Sequence, residues 1–373
     1  MTGENLNTEF LAAPHIEAIP ASTPFIGPEQ LMRERGFSSL IRLGANESSF
    51  GVSPKAVAAM SAELPRLSWY GDPESYDLRS ALAARHNCSI ENICIGSGID
   101  DLMGLAVRAF TAPGSSALAT RGTYPTFAYH VTGYGALLDT VSYAPDGRVD
   151  AAALIARARE TKPSMLYLAN PDNPSGTLLG AREIEALFAA LPPQTLLLLD
   201  EAYIDFAPQA DIPEALLHPR LLRMRTFSKA YGMAGARIGY MIATARNVQT
   251  FEKIRLQYGV NRNAQIGALA ALQDETFTKS VIAAVAEGRQ DYYDLARSLG
   301  RHAIESHTNF VCIDFDTNER ATEMVRALLA RGVFIRKPGA PPLDRYIRVS
   351  VGTPDERTQF AARLRDAEAE LAA

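Results

Sequence analysis

Between residues 90 and 245, short and almost wholly apolar runs alternate with stretches whose apolar residues recur at helical spacing. The runs Ile93–Gly96, Ala117–Arg121, Leu137–Tyr143, Met165–Ala169, Thr195–Asp200, Leu221–Thr226 and Ile238–Ala243 predict strands. In Thr195–Asp200 four leucines stand between a threonine and an aspartate, leaving neither face polar. Strands apolar on both faces are covered on both, as in parallel sheets flanked by helices. The intervening patterns Asp100–Phe110, Ala151–Glu160 and Ala181–Ala190 predict those helices, and the alternation predicts an open α/β sheet. Beyond about residue 265 the pattern changes. A long helical region, Gln265–Leu299, leads to an apolar run at Phe310–Phe315, a helix at Asn318–Arg331 and short strands at Val333–Arg336 and Tyr346–Val351. This reads as a smaller α+β domain. Pro14, Pro20, Pro24 and Pro28 suggest that the first 45 residues form an extended arm. The expected division is 1–45, an arm belonging to the small domain; 46–262, the large domain; and 263–373, the small C-terminal domain.

The length of 373 residues, with 47% hydrophobic and 21% charged, suits a two-domain globular chain. A net charge of −5 gives no basic face for nucleic acid. The three cysteines form no CxxC pair and the six histidines no HExxH motif, so neither a metal site nor a disulfide framework is expected. The opening MTGENLNTEF lacks the basic start and apolar run of a signal peptide, and no apolar run approaches the roughly 20 residues of a membrane span. A cytoplasmic setting is expected.

Ligands of open α/β sheets bind beyond the carboxyl ends of the strands, and the chemically suggestive residues sit there. Asp200 closes the leucine strand and is followed by Glu201-Ala-Tyr203. A buried carboxylate needs a cationic partner; a protonated pyridine nitrogen is one, a structural arginine or a helix cap are others. Lys229 lies in Thr226-Phe-Ser-Lys-Ala-Tyr-Gly, just after another strand. It is either a solvated surface lysine or an amine that attacks a carbonyl, which must then be neutral. Ser228 and Arg237 can face one anion near Lys229, and Gly96-Ser-Gly98-Ile99-Asp100 opens a helix whose free N–H groups suit phosphate. Asp100 reads equally as a plain N-cap. Asn173, in Asn170-Pro-Asp-Asn-Pro-Ser-Gly176, is either turn chemistry or a donor to a ring oxygen, and Tyr124 is either core or a stacking ring. The glycine spacing matches neither the dinucleotide fingerprint nor the Walker loop.

Taken in order, Gly-Ser-Gly, an aromatic, Asn-Pro-x-Gly, Asp-x-x-Tyr, Ser-Lys, Arg and a late Arg resemble the fold-type I pyridoxal-phosphate aminotransferases, in the branch containing histidinol-phosphate aminotransferases. The likeness runs from about Leu43 to Thr353. It implies a large, mostly parallel sheet domain with a smaller α+β domain, a pyridoxal 5'-phosphate cofactor and transfer of an amino group from an L-amino compound to a 2-oxo acid such as 2-oxoglutarate. By the same resemblance Lys229 holds the cofactor covalently and moves the proton, Asp200 pairs with the ring nitrogen, Asn173 and Tyr203 bond the ring oxygen, and Tyr124 stacks on the ring. The phosphate rests on Gly98, Ile99, Ser228 and Arg237, with Tyr70 reaching in from the second subunit of a homodimer. Arg348, in Tyr346-Ile-Arg-Val-Ser-Val-Gly352, binds the substrate's acidic group, with Arg336 beside it for a phosphate. A plain strand end in solvent is the alternative for Arg336. Asn46 belongs to a loop over the substrate, and Tyr258 to the neighbouring subunit's pocket. Two departures bear on substrate: Asn46-Glu-Ser-Ser-Phe-Gly51 stands where that branch has Asn-Glu-Asn-Pro-Tyr-Gly, and Pro24-Phe25 where it has Pro-Tyr. Histidinol phosphate is the first-choice donor and an aromatic amino acid the second. A decarboxylase or racemase on the same cofactor, and a non-catalytic module keeping the fold, are the remaining readings.

Overall fold

The computed structural model describes residues 12–20, 26–209 and 217–372. Eleven strands occur among them: β1 Ile41–Arg42, β2 Ile93–Gly96, β3 Ser116–Thr120, β4 Leu137–Val141, β5 Met165–Ala169, β6 Leu196–Asp200, β7 Leu221–Thr226, β8 Gly239–Ile242, β9 Phe310–Asp314, β10 Val333–Phe334 and β11 Tyr346–Ser350. Seven form one sheet in the order β2-β8-β7-β6-β5-β3-β4. Only β8 runs against its neighbours; the pairs from β7 through β4 are parallel. The predicted strands all appear, shifted by a residue or two at their ends.

The two-residue alternation of strand side chains decides which core each leucine enters. Leu166, Leu168, Leu197 and Leu199 point to one face, with Leu154 and Leu187 of the helices Ala151–Thr161 and Ala181–Ala190. Met165, Tyr167, Leu196 and Leu198 point to the other, against Leu102, Met103 and Val107 of the helix Ile99–Phe110. Each fully buried leucine contributes roughly 1.5–3 kcal/mol, so β5 and β6 form a rigid centre whose C-terminal ends hold Ala169 and Asp200 side by side. At the β2–β8 edge, Ile93, Ile95, Tyr240 and Ile242 join a third core that continues through Phe310, Ile313, Ile347 and Val349.

The C-terminal elements form two small sheets, β11 antiparallel to β9 and β1 parallel to β10. A bridge between Arg336 and Arg348 links them. The long helical region is two helices, Arg262–Leu272 and Glu275–Ser298. Between them Asp274, a residue type that favours helix starts over interiors, adopts a non-helical conformation.

The extended-arm expectation is corrected over the described part of the N-terminus. Pro14 and Pro28 begin helices, Pro14–Glu17 and Pro28–Arg35, because the first helical position needs no N–H donor and suits proline's fixed φ. Ile41–Arg42 then forms a strand. Pro24 and Phe25 lie outside the described residues.

Candidate active site

Beyond the C-terminal ends of β5, β6 and β7 lies a cavity of ≈ 250 Å³ lined by Ile99, Tyr124, Asn173, Asp200, Tyr203, Ser228, Lys229 and Arg237. It opens into a larger one of ≈ 690 Å³ that shares Tyr124, Asn173, Tyr203 and Lys229 and adds Asn46, Arg336 and Arg348. Residues spread over 300 positions thus meet at one sheet edge. The first cavity is built from strand ends, the second from the N-terminal loop and the C-terminal strands.

Two consecutive carboxylates at the end of β6 behave differently. Glu201 is fully buried, and Arg223 Nη2 and Arg225 Nε lie 2.6 and 2.9 Å from its oxygens. Burial would raise its pKa, but the two guanidiniums outweigh this and hold it below the ordinary carboxylate value. Asp200, also buried, has only neutral donors. It accepts from the Tyr167 hydroxyl at 2.8 Å and the Ala202 N–H at 2.9 Å. Burial pushes its carboxyl up to about 6, against the lowering effect of these donors. Among the described residues no side chain forms an ion pair with Asp200. Of the partners the sequence left open, a structural arginine belongs to Glu201 and not to Asp200.

Lys229 Nζ donates to the Asn46 carbonyl at 3.0 Å and lies 5.4 Å from the Tyr203 ring centroid. Asn46 Nδ2 donates to the Tyr203 hydroxyl at 3.0 Å. On the opposite wall Asn173 Oδ1 accepts from Arg348 Nη1 at 2.6 Å. Gly98 precedes the helix Ile99–Phe110 with φ +90°, and a Cβ there would lie 2.7 Å from Arg237 Nη2. Only glycine therefore allows the guanidinium to approach this helix start. Asp100 sits inside the helix, which corrects its reading as the cap. Its carboxylate accepts from the Tyr124 hydroxyl at 3.0 Å and approaches Arg237 Nη2 at 3.4 Å.

In the second cavity Arg336 and Arg348 exchange backbone hydrogen bonds, so their guanidiniums leave the same narrow ribbon. Arg336 is held below its ordinary pKa first by burial and then by the neighbouring Arg348 charge. Arg348 Nε is buried with no hydrogen-bond partner. Two half-buried guanidiniums lining one cavity are the chemistry of an anion site. They also argue against a mere strand end in solvent for Arg336. Tyr70 and Tyr258 line neither cavity. Their rings stack at 4.5 Å, with 76% and 54% of each residue exposed.

The sequence did not single out Tyr167, Glu47, Ser350 or Asn309. Tyr167 is a hydroxyl inside a closed apolar strand, and Ser350 a hydroxyl amid Val349 and Val351; both demand a buried partner, which is the signal available in the sequence. Glu47, lining both cavities, and Asn309 offer no comparable pattern.

Comparison with known proteins agrees with this geometry. Residues 38–364 match the family model described as aminotransferase class I and II. The histidinol-phosphate aminotransferase of Moorella thermoacetica is 32% identical over 361 residues, covering 94% of this chain and 92% of its own. That of Bacillus subtilis strain 168 is 31% identical, covering 94% and 98%. The crystal structure of the histidinol-phosphate aminotransferase from Sinorhizobium meliloti, in complex with pyridoxal-5'-phosphate, superposes with a TM-score of 0.93 at 41% identity, covering 96% of this chain and 98% of that one. With a family model spanning nearly all of the sequence and a site assembled at the matching strand ends, this chain belongs to the class I and II aminotransferases.

Proposed function

We propose that this protein is a pyridoxal-phosphate-dependent histidinol-phosphate transaminase, moving the donor's amino group to a 2-oxo acid such as 2-oxoglutarate. The observation that carries the cofactor is the contrast at the end of β6: Glu201 is answered by two arginines, while Asp200 is equally buried and answered only by neutral donors. A protonated pyridine nitrogen is the cation that such a carboxylate lacks. The glycine-opened helix start beside Ser228 and Arg237 fits the phosphate. When bound, pyridoxal phosphate supplies an aldehyde that takes over the donor's amino group and a cationic ring that accepts the electron pair left on the donor's α-carbon.

The chain's own groups do the rest. Asp200 keeps the ring nitrogen protonated. Tyr203 and Asn173 orient the ring oxygen, Tyr124 covers the ring face, and Gly98, Ile99, Ser228 and Arg237 hold the phosphate. Lys229 Nζ would anchor the cofactor and, with its amine free, would be the base that takes the proton from the donor's α-carbon. Arg348 and Arg336 bind the donor's phosphate, two cations matching a dianion, and Asn46 holds the loop over it.

The same reading takes the working unit as a homodimer, with Tyr70 and Tyr258 serving the partner's site. Its support is an apolar exposed stretch, with Leu67, Trp69 and Leu256 exposed to 56%, 63% and 80%. The domain division 1–45, 46–262 and 263–373 belongs to it too, supported by the seven-stranded sheet lying wholly inside the middle segment. So do a cytoplasmic setting and the lack of a nucleic-acid partner. No described helix is long and apolar enough to cross a membrane.

An aromatic amino acid is the competing donor, favoured by Ser48, Ser49 and Phe50 in the first loop. A donor panel of histidinol phosphate, phenylalanine, tyrosine and alanine, compared by kcat/KM, separates the two. A preference for phenylalanine or tyrosine over histidinol phosphate overturns the donor assignment.

A further inference from the structure

We propose that Ser350 is a positioning residue of the amino-transfer site, fixing the Asn46 amide so that the Tyr203 hydroxyl and the Lys229 amine are both presented to the cavity. This rests on the aminotransferase reading above and adds a residue that never meets the substrate.

Ser350 Oγ does two things at once. It accepts the Asn46 backbone N–H at 3.0 Å and donates its own proton to Asn46 Oδ1 at 3.1 Å. With Oδ1 turned to Ser350, the Nδ2 end faces Tyr203 and lies 3.0 Å from its oxygen. An amide nitrogen only donates, so the tyrosine oxygen is the acceptor in this contact and its own proton is free for a partner in the cavity. Were the amide reversed, Oδ1 would take the Tyr203 proton and the Ser350 hydroxyl proton would lose its partner. Ser350 therefore sets the direction of the Tyr203 O–H bond from two contacts away.

The backbone follows the same logic. Asn46 has φ +54°, in the left-handed region that costs a non-glycine residue on the order of 1 kcal/mol. Its N–H is held by Ser350, while its carbonyl accepts from Lys229 Nζ at 3.0 Å and from Asn309 Nδ2 at 3.2 Å. Asn46, Ser350, Tyr203 and Asn309 are each no more than 4% exposed. Water is thus a poor substitute for a deleted partner, and a lost contact is felt in full. Ser350 sits two residues after Arg348 on β11, and that strand also grips the loop at Leu43 and Gly44. The strand that carries the substrate arginine thereby seats the carbonyl that receives the lysine.

The test compares holoenzymes of wild type, Ser350→Ala and Ser350→Thr by the pH midpoint of the cofactor's visible absorption change, by steady-state kinetics and by thermal unfolding. Ser350→Ala should raise the midpoint by ~0.5 unit or more, because a Tyr203 proton no longer directed at the ring oxygen stabilises its anionic form less. It should lower kcat ~10-fold with donor KM within ~2-fold, as expected when one positioned proton-transfer group is loosened. Ser350→Thr, which keeps the hydroxyl, should restore the midpoint. In a Tyr203→Phe background, Ser350→Ala should cost clearly less than ~10-fold, since the part that acts through the Tyr203 hydroxyl is already lost and only the part through the Asn46 carbonyl and Lys229 remains. A midpoint unmoved in Ser350→Ala overturns the proposal even if the unfolding temperature drops. So does a full ~10-fold loss in the Tyr203→Phe background. A wild-type protein that shows no visible band with pyridoxal phosphate overturns the cofactor reading and this inference together, whereas a normal wild-type titration with an unmoved variant sinks only this inference.

Discussion

The two halves of the active-site wall are built on different principles. On the sheet side, Asp200, Asn173 and Lys229 follow strands whose apolar interiors are mainly leucine and methionine packed on both faces. Each polar group there is matched to neighbours: Tyr167 and Ala202 for Asp200, Arg348 for Asn173, Asn46 for Lys229. On the C-terminal side, Arg336 and Arg348 meet at a single bridge between short strands. They crowd like charges together, and Arg348 leaves a buried donor without a partner. The first wall is an electrostatic environment in which Asp200, among the described residues, meets only neutral donors; the second brings two guanidiniums to one cavity. Rigid geometry thus accompanies the chemistry common to a whole family, while the arginines proposed to meet varying donors come from two small sheets joined by one bridge.

Variants can break this contrast. Lys229→Ala should abolish turnover for every donor, with a loss of kcat of about 10³–10⁴, and should lose covalently held cofactor by mass spectrometry after borohydride reduction. Asp200→Asn keeps the shape but removes the anion, so kcat should fall about 10²–10³ for all donors while cofactor remains bound. On the other wall Arg348→Ala should raise KM for every donor by roughly 10–100-fold, the loss of a charge-assisted bidentate contact. Arg336→Ala should weaken only the phosphorylated donor, by about 10-fold in kcat/KM. Equal losses for phosphorylated and carboxylated donors would remove the distinction between the two arginines.

The smallest effect concerns pH. Asp172 and Asp200 are both pushed up to about 6 by burial, Asp172 in spite of bonds from Ser175 and Tyr143. A carboxyl whose folded pKa lies above its unfolded one favours folding when protonated. This stabilisation is complete below about pH 4 and disappears as pH climbs through 6, with a slope approaching ~1.4 kcal/mol per pH unit per group. Unfolding of the cofactor-free protein in denaturant should therefore show this loss between pH 4 and 6. Added pyridoxal phosphate should reverse the Asp200 part. A flat profile in the cofactor-free protein would mean that these carboxyls are better solvated than their burial implies.

Much of this was legible in advance. The leucine strand ending in Asp200 could only be central, and the motifs Gly-x-Gly, Asn-Pro, Asp-x-x-Tyr and Ser-Lys each close a strand whose end lines the first cavity. Those signals are local: a two-residue period, a turn motif, a charge where burial would be costly. The N-terminal prolines misled because proline marks both extended chain and the first turn of a helix, and only the residues that follow decide between them.

What the chain alone determined is the sheet, its direction and the strand ends that carry the lysine and the aspartate. Alternation and composition act over a few residues and survive in any context that buries them. Tertiary structure alone decided that Glu201 takes the two arginines and Asp200 none, that Arg336 and Arg348 stand across one bridge, and that Ser350 reaches Asn46 across 304 positions. Those outcomes depend on which groups arrive within about 3 Å of one another, a distance that no spacing along the sequence encodes.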